Sequence, residues 1–519
     1  MTETLTLPAV YNAAVDFIDG NPAPDAKTAI IDDRGLYTYG ELKERVDRAG
    51  RALLDIGLTQ ESRVAMAMLD SVDFPSVFWG SIKAGIVPVC LNTLLTTDSY
   101  EFILRDCRAR VLIVDELLYE KFEPILDRLP GLEKVVVVGE DGHGHQTLSD
   151  LMQAAPAALD AAVTNRDEVA FWLYSSGSTG QPKGVKHLHG SLAQTARFSG
   201  ESVLGINADD VVFSAAKLFF AYGLGNALTF PTSVGATAIL MAERPTPDSV
   251  MRTLATHHPT IFYGVPTLYA AILNDPSNTA DAGSARLRLC VSAGEPLPES
   301  IGLEWENRFG REILDGIGST EMLHVFISNH PGDVRYGWTG KPVAGYEARI
   351  VNDDDSESPI GEIGELLIRG PSAAEGYWNQ RAKSLHTFVG EWTRTGDKYL
   401  RDEDGYYLYC GRTDDMFKVG GNWVSPFEIE SAIMEHDAAL EAAVIARPDE
   451  AGNLKPKAFV VAAAGVDPDE QLGGDLKEYV RSRLELWKYP RWIEFVPDLP
   501  KTATGKIQRF KLRELDRSD

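Results

Sequence analysis

The hydrophobic pattern of the chain alternates between two kinds of segment. Tyr39–Ile56 and Pro75–Ala84 are amphipathic, which predicts helices with one buried face. Short β-branched runs lie between such segments and are almost continuously apolar: Arg63–Leu69, Val111–Asp115, Val135–Gly139 and Val211–Ala215. Because a strand that lacks polar alternation is buried on both faces, this pattern predicts layered α/β subdomains with parallel sheets.

The pattern changes after about residue 330, where glycine-rich, hairpin-like segments begin. Examples are Gly364–Gly370 and Asp404–Gly411, and a last segment from about residue 415 has its own helix–strand alternation. Leu218–Ala242 lacks charged residues and is long enough to span a bilayer. It contains Asn226, Pro231 and several glycines, so it is better explained as a buried helix, a turn and a buried strand.

Composition narrows the class of protein. The 519 residues are enough for roughly three to four domains of about 150 residues. An apolar share of 44% with 24% charged residues is typical of a globular protein and excludes a disordered or coiled-coil chain. A net charge of −26 argues against nucleic-acid binding and against docking on an anionic membrane. No secretory signal is visible, which favours a cytoplasmic location.

Cysteine and histidine spacing does not predict a metal or disulfide framework. Cys90, Cys107, Cys290 and Cys410 are widely separated, and the ten histidines lack the HExxH spacing. The basic tail is more informative. Between residues 477 and 517 there are 11 basic and 6 acidic side chains, a local excess that indicates an anionic ligand.

The segment with the clearest chemistry is Tyr174–Gly184, YSSGSTGQPKG, which follows an apolar run and precedes a predicted helix. Its glycines and hydroxyl residues allow backbone N–H groups to converge on phosphate oxygens, and Lys183 adds a positive charge. The Walker and GxGxxG patterns do not fit. A flexible linker is the alternative, but the apolar flanks and the PKG ending argue against it.

This segment resembles the signature loop of the acyl-adenylate-forming (AMP-binding) superfamily. Further motifs follow in the family order over essentially the whole chain: Gly316–Met322 (GIGSTEM), Arg394–Asp397 (RTGD), Gly411–Glu430 and Pro500–Arg509 (PKTATGKIQR). Within the superfamily, Lys217–Gly225 (KLFFAYGLG) is most similar to benzoate–CoA ligases.

The resemblance implies a two-part fold. Residues 1–410 would form a large N-terminal domain of layered α/β subdomains plus a small β-barrel. Residues 411–414 would be a hinge, and residues 415–519 a small mobile C-terminal α+β domain that carries the catalytic lysine. Asp414 is the implied hinge residue, because the lysine and an incoming thiol cannot both occupy the space around one acyl carbon.

The resemblance also implies a nucleotide site. Lys506, Thr320 and Glu321 are the implied catalytic residues, with Glu321 as the Mg²⁺ ligand, since carboxylate oxygens suit that hard cation. The implied ATP-binding residues are Ser175, Ser176, Gly177, Ser178, Thr179, Gly180, Lys183, Gly294, Glu295, Pro296, Asp315, Gly316, Ile317, Ser319, Asp397 and Arg412. Many family members have an aromatic residue at the position of Ile317, so the strength of adenine stacking is left open.

The implied acyl pocket consists of Phe220, Ala221, Tyr222, Gly223, Gly318 and His324. Aromatic rings around small residues form a flat apolar slot suited to a planar ring, although packing within a buried helix is the alternative. For coenzyme A, the resemblance points to Gly420 and Gly421. The aromatic and basic side chains of Trp487, Lys488 and Arg491 suggest contacts with the adenine and 3′-phosphate, with interdomain packing as the alternative.

The predicted reaction converts benzoate, ATP and CoA into benzoyl-CoA, AMP and diphosphate through a benzoyl-adenylate. The predicted partners are small molecules, with no nucleic acid or membrane. The oligomeric state is left open between monomer and homodimer. Alternatives are an enzyme that loads an aryl acid onto a carrier protein, a CoA ligase for another small acid, a luciferase-like oxygenase and a catalytically silent nucleotide-binding protein.

Overall fold

The computed structural model describes residues 5–176, 181–420, 422–450, 452–463, 465–501 and 507–518. Its internal contacts divide the chain into two units. The first unit is Met1–Ala348 with Ile368–Thr393, and the second is Arg349–Leu367 with Arg394–Asp519. This division is by contacts and does not test the predicted hinge at residues 411–414, which therefore stays a prediction.

The helices begin and end at local signals. Thr38 caps the first helix by accepting a hydrogen bond from the Glu41 N–H, and the Glu41 carboxylate reaches back to the Thr38 N–H. In chain order the helices are α1 Tyr39–Asp55, α2 Asp73–Lys83, α3 Thr97–Cys107, α4 Leu148–Ala154, α5 His189–Thr195, α6 Ala221–Leu224, α7 Phe230–Val234, α8 Pro247–His257, α9 Pro266–Leu273, α10 Glu299–Phe309, α11 Arg381–Thr387, α12 Pro426–Met434, α13 Glu470–Arg481 and α14 Arg509–Ser518.

The strands are short and numerous. In chain order they are β1 Thr28–Asp32, β2 Gly35–Thr38, β3 Arg63–Ala67, β4 Val87–Cys90, β5 Val111–Asp115, β6 Lys134–Val138, β7 Gln146–Thr147, β8 Val169–Ser176, β9 Pro182–Leu188, β10 Val211–Ser214, β11 Thr237–Ile239, β12 Ile261–Gly264, β13 Leu289–Ala293, β14 Ile313–Gly318, β15 Val325–Ser328, β16 Lys341–Pro342, β17 Glu347–Val351, β18 Gly364–Arg369, β19 Gly376–Tyr377, β20 Phe388–Val389, β21 Trp392–Arg401, β22 Tyr407–Arg412, β23 Phe417–Val419, β24 Asn422–Val424, β25 Ala439–Pro448, β26 Leu454–Ala462 and β27 Trp492–Phe495.

Two large sheets organise the first unit. A nine-stranded sheet has the order β16-β15-β14-β13-β12-β10-β11-β1-β2, and an eight-stranded sheet has the order β19-β9-β8-β4-β3-β5-β6-β7. The central pairs are parallel, as in β13–β14 and β3–β5, whereas β14–β15 and β8–β9 are antiparallel. The central strands are buried, as are all residues of α2. The predicted α/β fold class is therefore confirmed.

The second unit contains smaller sheets. A five-stranded sheet, whose strand β20 belongs to the first unit, has the order β17-β18-β21-β20 with β22 beside β21. Strands β23 and β24 form a hairpin, and β25-β26-β27 form a three-stranded sheet. The three-stranded sheet packs its apolar face on α12 and α13, in a core that includes Val444, Val460, Ile433 and Val480. This core gives the C-terminal part of the chain its own stability.

The apolar runs predicted as strands correspond to β3, β5, β6 and β10, with boundaries that shift by at most a few residues. The uncharged stretch forms α6, a π-helical turn at Gly225–Thr229, α7 and then β11. The predicted helix, turn and strand are confirmed. In the part of the chain that the structure describes, no helix is both long and apolar enough to cross a membrane.

Candidate active site

The signature loop connects the antiparallel strands β8 and β9. Ser175 pairs with Lys183 and Ser176 with Pro182, so the pairing of the two strands extends to Ser176 and Pro182. The helix predicted after the loop is α5, which begins at His189; strand β9, which was not predicted, comes before it, and its residues Val185 and His187 are buried beside β8. The predicted phosphate-binding residues Gly177, Ser178, Thr179 and Gly180 lie outside the described residues.

Lys183 and Glu321 meet at the start of β9. The Lys183 ammonium lies 3.3 Å from Glu321 Oε1, and the Tyr377 hydroxyl donates to the same oxygen at 2.8 Å. Burial by itself would raise the pKa of the Glu321 carboxyl, but Lys183 and Tyr377 outweigh it and lower this pKa. Glu321 is therefore an ionised carboxylate held in a largely buried place.

Glu321 and Thr320 belong to a short 3₁₀ turn, Thr320–Met322, which follows β14. Ser319 caps this turn because its hydroxyl accepts a hydrogen bond from the Met322 N–H at 3.2 Å. No cluster of three or more potential metal-ligating side chains exists among the described residues. The Glu321 carboxylate is an oxygen donor that fits Mg²⁺, which commonly binds in nucleotide sites through one or two carboxylates together with substrate phosphates and water.

The predicted ATP-binding residues Gly294–Pro296 and Asp315–Ile317 lie where two neighbouring parallel strands end. β13 and β14 are neighbours, with Ser292 beside Asp315 and Ala293 beside Gly316. Gly294 follows β13 with φ of 95°, a conformation that glycine adopts readily, and it is followed in turn by Glu295 and Pro296. Ligands of open α/β sheets bind at such carboxyl ends of strands. The fold thus places the Gly294–Pro296 loop and the Asp315–Gly318 strand end, which includes Ile317, next to each other.

Asp315 has unusual electrostatics. It is 6% exposed, and its burial raises its pKa well above the ordinary value, although the N–H groups of Leu297 and Gly316 and the Ser292 hydroxyl act in the opposite direction. Within the described residues, Asp315 Oδ1 and Ser292 Oγ have no hydrogen-bond partner at ordinary distance. Burial therefore disfavours the charged form of Asp315, and its Oδ1 is an unused polar atom at the strand end.

Of the predicted acyl-pocket residues, Tyr222 and Gly318 lie beside His324. The Tyr222 and His324 rings lie 5.7 Å apart, and the Phe230 ring lies 4.4 Å from that of His324. A Cβ on Gly318 would lie 2.6 Å from the His324 carbonyl oxygen, so glycine is required for this approach. Phe220 precedes α6, which begins with Ala221, Tyr222 and Gly223.

Hydrogen bonds fix the pocket side chains. The Tyr222 hydroxyl donates to the Val291 carbonyl at 3.2 Å, and His324 Nε2 lies 3.2 Å from Asn226 Oδ1. Burial lowers the pKa of His324 to about 3, so its imidazole is neutral at pH 7. Sequence analysis did not assign Asn226 to the pocket. In the sequence, Asn226 is one amide side chain in an uncharged, largely apolar run, and this pattern predicted only that it is buried.

In the second unit, Asp397 and Arg412 are directly opposed on β21 and β22. Arg412 Nη1 lies 2.9 Å from Asp397 Oδ1, and the same nitrogen donates to the Thr395 carbonyl at 3.2 Å. These two residues, both predicted to bind ATP, are therefore neighbours. Asp414 lies in the turn after β22, and Gly420 has φ of 59° between β23 and β24. The predicted Gly421 and Lys506 lie outside the described residues.

The predicted CoA contacts in the tail have protein partners of their own. The Lys488 ammonium lies 2.7 Å from Glu428 and 2.8 Å from Glu485, and the Arg491 guanidinium lies 4.8 Å from the centre of the Tyr489 ring. Trp487 is 39% exposed. Sequence analysis did not foresee the Lys488 pairing, because Glu428 is 60 residues away along the chain.

Comparisons with known proteins agree with the motifs. The profile of AMP-binding enzymes matches residues 20–378, and that of the AMP-binding enzyme C-terminal domain matches residues 428–506. The chain therefore belongs to the AMP-binding enzyme family, as its motifs predict. It is 55% identical over 513 residues to a benzoate–CoA ligase of Thauera aromatica, with 98% of this chain and 97% of the relative covered.

Two solved structures of CoA ligases are also similar to this chain. A benzoate CoA ligase from Burkholderia xenovorans LB400 matches with a TM-score of 0.91 and 50% identity, over 97% of this chain and 100% of that chain. The anthranilate CoA ligase AuaEII, solved with anthranoyl-AMP, matches with a TM-score of 0.94 and 44% identity, over 98% of each chain.

Proposed function

We propose that this protein is an ATP-dependent benzoate–CoA ligase that releases AMP and diphosphate. The observation that carries the proposal is the 55% identity to a benzoate–CoA ligase over nearly the whole of both chains. The predicted acyl-pocket residues support it, because the Tyr222 and His324 rings are neighbours and the segment Phe220–Gly223 contains no aspartate that could hold an amino group. A relative named a 4-hydroxybenzoate/benzoate–CoA ligase is 53% identical over 508 residues.

In the first half-reaction, a benzoate oxygen attacks the α-phosphorus of ATP, a benzoyl-adenylate forms and diphosphate leaves. Two anions must meet, so the site needs fixed positive charge. Lys183 supplies one charge and Lys506 the second. Glu321 would hold Mg²⁺, which neutralises charge on the phosphate oxygens. Asp397 would accept hydrogen bonds from the ribose hydroxyls, and Arg412 holds that carboxylate in place.

In the second half-reaction, the CoA sulfur attacks the acyl carbon and AMP leaves. Gly420 and Gly421 would line the pantetheine path, because the missing side chains leave room. A rotation at Asp414 would then exchange Lys506 for the thiol. In this proposal, Lys488 and Arg491 contact the CoA 3′-phosphate. The phosphate must then compete for the Lys488 ammonium with the carboxylates of Glu428 and Glu485. A cytoplasmic location belongs to the proposal, because ATP and CoA are the cosubstrates.

A substrate screen tests the proposed function. Diphosphate release is measured with benzoate, hydroxy-, amino- and fluorobenzoates, cyclohexanecarboxylate and hexanoate, and CoA is compared with a phosphopantetheinyl carrier as the acceptor. We expect benzoate to have the highest kcat/KM and CoA to be the acceptor. Acid-independent diphosphate release, preference for an aliphatic acid, or transfer only to the carrier would contradict the proposal.

Lys506→Ala tests whether Lys506 acts in the first half-reaction and not in the second. We expect the variant to lose benzoyl-adenylate formation and to retain thioester formation from benzoyl-adenylate supplied in advance. The two half-reactions are measured separately, by diphosphate release and by benzoyl-CoA formation. Equal loss of both would show that Lys506 does not act specifically in adenylation.

A further inference from the structure

The segment Ser372–Tyr377 is joined by hydrogen bonds to the turn that carries Glu321. The Ser372 hydroxyl donates to the Met322 carbonyl at 2.6 Å, and the Ala374 N–H donates to the Glu321 carbonyl at 2.8 Å. The Tyr377 hydroxyl donates to Glu321 Oε1 at 2.8 Å. The segment thus restrains both the backbone and the carboxylate of Glu321.

Tyr377 is itself held rigidly. It lies in β19, where it pairs with Val185 of β9, and it is 6% exposed. Its ring packs on Phe388 with the ring centres 5.5 Å apart. A tyrosine on a paired strand with a packed ring has little freedom about its two side-chain torsions. Its hydroxyl is therefore a donor at a fixed position.

The same phenol also holds Lys183. The ammonium lies 4.3 Å from the centre of the Tyr377 ring and 3.2 Å from its hydroxyl oxygen. A cation on the face of an aromatic ring is attracted by the ring, most strongly when both are shielded from water. Tyr377 therefore contacts both members of the Lys183–Glu321 pair and limits how far the ammonium can approach the carboxylate.

We infer that Tyr377 is a positioning residue of the nucleotide site. Its hydroxyl orients the Glu321 carboxylate that would hold Mg²⁺, and its ring keeps Lys183 beside that carboxylate. Tyr377 acts through these two residues and not through the substrate. The inference rests on the proposed function, since it assigns to Glu321 the contact with the magnesium–ATP complex.

The test compares ATP binding by calorimetry with Mg²⁺ and with EDTA in the full-length protein. Tyr377→Phe removes only the hydroxyl. We expect ATP affinity in Mg²⁺ to fall about tenfold, as for the loss of one hydrogen bond to a charged group, and affinity in EDTA to change less than about twofold. In steady state, the KM for magnesium–ATP should rise more than kcat falls.

Tyr346→Phe is the matched control. Tyr346 is also buried, and its hydroxyl lies 2.6 Å from Ser372 Oγ at the other end of the same segment. Tyr346→Phe removes a hydroxyl that contacts the segment but does not contact Glu321, so we expect ATP affinity with Mg²⁺ and with EDTA to be unchanged. Glu321→Ala supplies the second comparison: if Tyr377 acts through Glu321, Tyr377→Phe has no further effect on ATP affinity in that background.

The outcomes separate the inference from the proposed function. Equal weakening of ATP binding with Mg²⁺ and with EDTA, an equal effect of Tyr346→Phe, or an undiminished effect in Glu321→Ala would overturn the role of Tyr377. If Tyr377→Phe does not fold, Phe388→Leu, which removes the ring packed on Tyr377, should weaken ATP binding with Mg²⁺ more than with EDTA, and equal weakening would overturn the role. Absence of benzoate-dependent diphosphate release from the wild type would overturn the proposed function alone.

Discussion

His187 makes the stability of this protein depend on pH in a way that can be worked out from its surroundings. It is fully buried in β9 and stacked on Phe171, with ring centres 4.9 Å apart. Neither ring nitrogen has a hydrogen-bond partner among the described residues. Burial lowers the pKa of His187 to about 3, and the negative charge of Glu321 only partly opposes this shift.

The sign follows from proton binding. The unfolded chain takes up a proton on this residue near its ordinary pKa of 6.5, whereas the folded chain stays neutral down to about pH 3. The free energy of unfolding therefore falls as the pH falls from 6.5 towards 3, by about 1.4 kcal/mol per pH unit. At pH 5, His187 alone lowers the free energy of unfolding by about 2 kcal/mol relative to pH 8.

His187→Leu tests this magnitude, because leucine fills a similar volume and does not titrate. The free energy of urea unfolding is measured at pH 5 and pH 8 from tryptophan fluorescence. The difference in the free energy of unfolding between the variant and the wild type should be about 2 kcal/mol more in favour of the variant at pH 5 than at pH 8. His386→Leu, at an exposed position of α11, is the control and should show no such difference. The same stability change at both pH values for His187→Leu would refute the reasoning.

Further predictions concern the site. Gly225→Ala would place a Cβ 2.5 Å from His324 Nε2 and displace that ring. We expect the KM for benzoate to rise at least about tenfold, with little change in the KM for ATP. Equal changes in both KM values would show that Gly225 does not act on the acyl pocket. Asp397→Asn should raise the KM for ATP about tenfold by weakening a charged hydrogen bond, and an unchanged KM would exclude a ribose contact. Asp414→Pro should retain diphosphate release but lose benzoyl-CoA formation, and retention of both would refute the hinge.

CoA recognition can be tested by replacing Lys488 and Arg491 with methionine. We expect the KM for CoA to rise more than that for dephospho-CoA, because the 3′-phosphate loses its cationic partners. Stability is measured in parallel, since Lys488 also pairs with Glu428 and Glu485. Equal effects on both thiols would favour the alternative in which these residues serve only packing.

Many helices and strands could be predicted from the sequence, because the spacing of apolar residues that favours them lies within each segment. The spacing of apolar residues in Tyr39–Ile56 predicts α1, and the run Val111–Asp115 coincides with β5. The order of the motifs led to the family, which the comparisons confirm. The helix expected after the signature loop is α5, but the strand β9 before it was not predicted, because β9 is fixed by its pairing with β8 and not by local preference.

The amino-acid sequence by itself determined the class of fold, the family and the chemistry of the motifs, since a motif keeps its functional residues within a few positions of one another. Only the tertiary structure decided which distant groups accompany them: Tyr377 beside Glu321, Asn226 beside His324 and Glu428 beside Lys488. The physical reason is that hydrogen bonds and ion pairs depend on distances of a few ångströms in space, and sheet pairing sets these distances for residues that are far apart along the chain.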